Sequence, residues 1–116
     1  MKKGLTQTCY GFFSTLANPT RLAILEALES GPSSVTSLAK ALDQEQSMIS
    51  HNLSPLVRCA FVYVSRSGKE RIYSLNKDTV TSLLKTVESH AEMYCPMKGD
   101  CEHSGRVRTG MRKEVD

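Results

Sequence analysis

Between Glu45 and Arg58 the sequence EQSMISHNLSPLVR carries two faces of opposite chemistry at helical spacing. Ile49, Leu53, Leu56 and Val57 recur at the i, i+4, i+7 and i+8 positions of a buried stripe, while Ser47, Ser50, His51, Ser54 and Arg58 fall on the other side. An ordinary solvated helix face mixes Glu with Lys. This one offers short hydroxyls, an imidazole and a guanidinium, with no acid between Gln46 and Arg58. Such a surface suits close approach to phosphates and base edges. The plain alternative is a solvated amphipathic helix with no partner.

The charge distribution bears on that choice. Lys plus Arg against Asp plus Glu is 4 against 4 for residues 1–45 and 5 against 1 for residues 46–77. It is 2 against 5 for residues 78–104 and 4 against 2 for the last twelve. A net charge of +3 says little by itself, but the excess collects on the two-faced stretch and the segment after it, where a polyanion would be met.

The remaining segments are short. Leu5, Cys9, Phe12, Phe13 and Leu16 share a helical stripe over residues 5–17. Asn18-Pro19 supplies an N-cap and a first helical proline for a second helix through about Ser30, expected to bury Leu22, Leu25 and Leu28 and to stop at Gly31-Pro32. Ser33 or Ser34 caps a third helix, Val35 to Leu42, with Val35, Leu38, Ala39 and Leu42 inward, and Asp43-Gln44-Glu45 turns into the fourth. After Ala60 the period becomes two. Phe61 to Arg66 and Lys69 to Leu75 read as a hairpin around Ser67-Gly68 whose tip carries Arg66, Lys69 and Arg71. From about Lys77, Val80, Leu83, Leu84, Val87, Ala91 and Tyr94 form a stripe that needs something to pack on, most simply a second copy. Pro96 ends that helix.

Short helices followed by a basic hairpin describe a mainly α fold with a β-hairpin wing, the layout of a winged helix-turn-helix. LANPTRLAILEAL (Leu16 to Leu28), ALDQEQSMISHNLSPL (Ala41 to Leu56) and YVSRSGKERIYSL (Tyr63 to Leu75) resemble the recognisable segments of the ArsR/SmtB family of metal-responsive repressors, in order, over roughly residues 5–93. The resemblance implies a homodimer held by the first and last helices. It would bind a palindromic double-stranded operator and let go on binding its effector. The expected division is a DNA-binding and dimerisation domain over residues 1–94 and a cysteine-containing tail over residues 95–116.

In the family the recognition helix enters the major groove near its N-terminus, which here implies Gln46, Ser47, Ser50 and His51. Gln pairs bidentately with adenine, Ser reaches base edges or phosphate, and His donates or accepts at a guanine edge. For Gln46 and Ser47 the competing role is capping of the helix. Arg66, Lys69 and Arg71 would meet phosphates through the wing. Pro55 disagrees with a regular helix, because it lacks the N–H for the His51 carbonyl. The expectation is that the disturbance lies beyond the contacting turns and spares Gln46 to His51.

The effector site departs from the family's familiar ones. The arsenic-sensing Cys-x-Cys falls on Ser34 and Thr36, and the zinc-sensing pattern, counted from Asp78, falls on Val80, Ala91 and Tyr94. What remains is HAEMYCPMKGDCEH, His90 to His103. Cys95 and Cys101 are flanked there by His90, Met97, Asp100, Glu102 and His103, and the loop after Pro96 could bring both sulfurs onto one soft ion. Some arsenic sensors of the family hold thiolates in this region, which favours trivalent arsenic or antimony on Cys95, Cys101 and a third sulfur. Cd, Pb or Zn are the alternatives, with His90 or His103 favouring Zn or Cd. Cys9 and Cys59 are the candidates for a third sulfur, although for each the reading as a structural residue carries more weight.

The expected function is a repressor released from its operator by a thiophilic metal or metalloid. The alternative is a thiol redox switch on the same cysteines. A constitutive DNA-binding protein and a metal buffer without DNA contacts are further rivals. The sequence holds no nucleophile and base pair, no phosphate loop and no paired acids, so no enzyme is expected. No apolar run is long enough to span a membrane and Met1-Lys2-Lys3 leads into no signal-peptide core, so a cytoplasmic location is expected.

Overall fold

The computed structural model describes residues 4–95, excluding the side chains of Leu5, Gln7, Thr8 and Cys9. The chain divides into two compact units, Met1–Thr81 and Ser82–Asp116. The first contains α1 (Leu5–Leu16), α2 (Pro19–Leu28), β1 (Ser33–Ser34), α3 (Val35–Leu42), α4 (Gln46–Arg58), β2 (Val62–Ser67) and β3 (Glu70–Leu75). The unit boundary falls inside α5 (Val80–Tyr94). This is the expected winged helix-turn-helix: α3 and α4 joined by a tight turn, then a hairpin.

Local chemistry sets the helix ends. Asn18 is extended and its side-chain oxygen accepts the Arg21 N–H at 3.0 Å, while Pro19 opens α2. Ser34 Oγ accepts the Ser37 N–H at 3.1 Å and starts α3. Asp43 ends α3 in the left-handed region, at φ 55°. The end of α4 is tighter. The Phe61 N–H reaches back to the Leu56 carbonyl at 2.9 Å and the Ala60 N–H to Val57 at 3.0 Å, the paired bonds of a Schellman motif. That motif puts its left-handed residue at Ala60, φ 62°, a position glycine usually fills. Phe61 then turns inward, edge-on to Phe12 of α1 with ring centroids 4.9 Å apart.

Ile24, Leu25 and Leu28 of α2, Leu38 of α3, Ile49, Leu53 and Leu56 of α4 and Val62 of β2 are all but inaccessible to solvent and form the core. Two expectations are corrected here. Leu22 is exposed and Ile24 takes its place, because at about 3.6 residues per turn the arc through Ile24, Leu25 and Leu28 leaves Leu22 at its rim. Phe13 is also exposed, so α1 covers only part of its apolar stripe.

The sheet has three strands, in the order β1-β3-β2, all antiparallel. The third strand is Ser33–Ser34, paired with Tyr73 and Ile72; it was expected only as a helix cap. The hairpin turn is one residue later than expected. Ser67 pairs with Glu70, leaving Gly68 and Lys69 as the loop, with Gly68 supplying a φ of 68°.

One polar residue sits on the buried face of α4. Asn52 lies between Ile49, Leu53 and Leu56, accepts the Arg21 Nε–H at 3.0 Å and donates to the Met48 carbonyl at 3.0 Å. Arg21 Nη1 donates at 3.2 Å to the carbonyl of Thr15, at the end of α1. The side chain of one arginine therefore ties α1, α2 and α4 together. Pro55 does not shorten the helix, which continues to Arg58 with the Cys59 N–H on the Pro55 carbonyl at 3.0 Å. The first turn is regular, with Met48 and Ile49 both donating to Glu45.

Two stability predictions follow from these bonds, both read as urea midpoints at fixed protein concentration. Asn52→Ala strands a half-buried guanidinium donor and should destabilise by about 1–3 kcal/mol. Ala60→Gly removes a left-handed penalty of about 1–2 kcal/mol against an unfolded-state cost of about 0.4–1 kcal/mol, so it should stabilise by roughly half a kcal/mol or more. A loss of stability in Ala60→Gly would refute the strain at this position.

Candidate nucleic-acid interface

The outer face of α4 is open along its length. Gln46, Ser47, Ser50, His51, Ser54 and Arg58 are all exposed, while Ile49, Asn52, Leu53 and Leu56 are buried. No side chain caps the helix N-terminus. The competing role for Gln46 and Ser47 is therefore not what they do here. Among the described residues, the side chains of Gln46, Ser47, Ser50 and His51 have no hydrogen-bond or ion-pair partner. Four polar groups on the first two turns of α4 thus stand without a partner among the described residues.

The wing projects from the same unit. Every residue of β2 after Val62 is exposed, as are Lys69 and Arg71. The register sets Arg66 directly across from Arg71. Like charges directly opposite in an antiparallel pair destabilise it, and no carboxylate of the described residues pairs with either. Between wing and helix lies a cleft of about 240 Å³ whose walls include Ser50 and Ser54 of α4 and Arg71 and Tyr73 of β3. Hydroxyls and a guanidinium line it beside apolar Leu53, Val57 and Val64.

The effector candidates are less assembled. Cys95 is half-buried just beyond α5, its N–H on the Ala91 carbonyl at 3.0 Å. His90 stacks on Tyr94 with ring centroids 5.2 Å apart. Four residues lie between His90 on α5 and Cys95 just beyond it. Among the described residues no three His, Cys, Asp or Glu side chains are close enough together to hold a metal. Cys101 and His103 lie outside the described residues, as do Met97, Asp100 and Glu102; Cys9 is on α1 with its side chain likewise outside them. The donor chemistry of Cys95 fits a soft ion. Cys59 is exposed rather than packed away, with its Sγ 3.7 Å from Thr15 Oγ1.

Sequence reasoning missed the Arg21–Asn52 bond. A signal was present, since Asn52 interrupts the apolar stripe three residues after Ile49 and four before Leu56 and so needs a buried partner. Nothing local named Arg21 as that partner. Among the described residues no helix is long and apolar enough to cross a membrane.

Comparison with known proteins agrees with this architecture. The family profile described as bacterial regulatory protein, arsR family, matches residues 18–64, from the cap of α2 into β2. The HTH-type transcriptional regulator NmtR of Mycobacterium tuberculosis is 43% identical over 66% of this chain and 64% of its own length. A probable mercury resistance operon repressor of Streptomyces lividans is 34% identical over 63% of this chain and 58% of its own. The chain thus spans a little less than two thirds of these curated relatives. The crystal structure of M. tuberculosis Rv0081 matches with a TM-score of 0.69 and 32% identity, over 76% of this chain and 89% of that one. The homodimeric winged helix-turn-helix DNA-binding domain of Mb0332 from Mycobacterium bovis matches with a TM-score of 0.70 and 28% identity, over 76% and 82%. The relatives are transcriptional regulators and not enzymes. In sequence, in the order of its elements and in the hairpin that follows α4, the chain belongs to the ArsR family of bacterial regulatory proteins.

Proposed function

We propose that this protein is a cytoplasmic, homodimeric repressor that binds a palindromic operator and is released by a thiophilic metal or metalloid. The carrying observation is the outer face of α4, acid-free and exposed, with Gln46, Ser47, Ser50 and His51 left without partners among the described residues. In this reading these four read base edges in the major groove, and Arg66, Lys69 and Arg71 hold the backbone. A polyanion between Arg66 and Arg71 turns their mutual repulsion into shared attraction.

The dimer would form through α1 and α5. Tyr10 and Phe13 of α1 and Val87, Met93 and Tyr94 of α5 are exposed in the single chain, more apolar surface than scattered residues account for. Residues 1–94 would then be the DNA-binding and dimerisation domain and residues 95–116 the sensing tail. Cys95 and Cys101 supply soft donors, and trivalent arsenic or antimony suits a thiolate set. Cd, Pb or Zn would follow if His90 or His103 joins. The name of the S. lividans relative supports a thiophilic effector. Coupling of order 1–3 kcal/mol between the sites is enough for release.

Selection from a random-sequence duplex pool should enrich an inverted repeat; an unenriched pool would refute operator recognition. On the enriched duplex, Gln46→Ala should lose about 1–3 kcal/mol of discrimination at one base pair, measured by competition with single-base variants. Cys95→Ser combined with Cys101→Ser should leave affinity for that duplex unchanged and abolish release by arsenite. Release that survives the double substitution removes the tail site, and release by oxidant but not by metal replaces it with a dithiol switch.

A further inference from the structure

A second cleft, of about 340 Å³, opens beside α4 among residues of α1, α2 and α4, and of its lining only His51 has a role in the function above. Its walls are Thr15 of α1, Arg21 of α2, and His51, Ser54, Pro55 and Arg58 of α4. No carboxylate lines it. Among the described residues Arg58 has no ion-pair or hydrogen-bond partner, and Arg21, with Nε and Nη1 committed to Asn52 and Thr15, keeps Nη2 unused. Ser54 is shared with the wing-side cleft, so the two clefts flank one helix. Each carries arginine.

We infer that this second cleft is a phosphodiester site. It would take a backbone phosphate of the DNA strand opposite the one held by the wing, through Arg58 and the free edge of Arg21. The inference rests on the DNA-binding reading and deepens it. Length supports it: thirteen residues make α4 roughly 20 Å long, whereas the major groove is about 12 Å wide. With Gln46 to His51 at the base edges, the last turn overhangs the groove wall, where the phosphates are. Arg21 is fixed by its two bonds, so the cleft is preformed on one side. Arg58 closes the other. A contact of this kind positions the helix and carries no sequence information.

The test measures affinity of the full-length protein against salt, using the duplex enriched by selection and an unrelated duplex of equal length. Wild type that binds neither duplex defeats the DNA-binding reading itself. Given binding, Arg58→Gln should lower the log–log salt slope by about one, which is roughly eightfold in affinity at 0.1 M salt with convergence near 1 M. The loss should be equal on both duplexes, and Arg58→Lys should restore most of the slope. A wild-type slope in Arg58→Gln, or a loss confined to the enriched duplex, would overturn the assignment. Inorganic phosphate titrated without DNA at constant ionic strength provides the remaining arm. Absence of binding is expected, and saturable sub-millimolar binding lost in Arg58→Gln would reassign the cleft to a free anion.

Discussion

A helix proposed to read DNA has to be held firmly by one face while the other stays unspent, and in this chain α4 is held by an apolar seam with one polar contact, Arg21–Asn52, set in it. Ile49, Leu53 and Leu56 bury α4 against the core, but hydrophobic burial is non-directional and tolerates rotation or sliding of a helix. The Arg21–Asn52 bond is directional. It fixes the rotation of α4 about its own axis, and through the Thr15 carbonyl it extends the same register to the end of α1. If α1 lies in the dimer interface, as proposed, a displacement there would reach α4 through this guanidinium as well as through the Phe12–Phe61 contact. The cost of a buried polar pair is offset by a defined orientation, which apolar packing alone would leave loose.

The wing shows the reverse economy of contacts. Its tip residues are exposed, and the rung next to the one that closes the loop sets Arg66 against Arg71. A hairpin chosen for stability alone would place an acid opposite one of them. Local disagreement between a residue choice and the fold is expected where function intrudes, and here it coincides with the cleft shared by Ser50, Ser54 and Arg71.

Much of this was legible in the chain. Helix limits could be read because each is written in local chemistry: Asn18-Pro19, Gly31-Pro32 and the Ser34 cap act within a few residues of themselves. The outer face of α4 could be read because 3.6-residue periodicity separates it from the core. Three features could not. The strand at Ser33–Ser34 is two residues long and has no β-forming side chain, so only its pairing with Ile72 and Tyr73 reveals it. The hairpin register turned on which of two adjacent dipeptides formed the loop, a choice made by strand pairing rather than by turn propensity. The Arg21–Asn52 bond spans 31 residues and has no local signature beyond an asparagine in the wrong stripe. Gln46, Ser47, Ser50 and His51 were legible as an exposed set; of the effector candidates, Cys59, His90 and Cys95 fall with their side chains among the described residues.

The tight exit of α4 through Ala60 has a geometric consequence for recognition. With one residue in the left-handed region and Phe61 seated on Phe12, no slack separates the last helical turn from the first residue of β2. Helix and wing therefore behave as the two arms of a fixed caliper, whose opening is set by backbone geometry. If α4 and the wing grip DNA as proposed, such a caliper would adjust little to the groove between its arms. The strain of a site with the wrong width would then fall on the duplex, so base pairs that no side chain touches would still count, through their stiffness, toward which sites are bound.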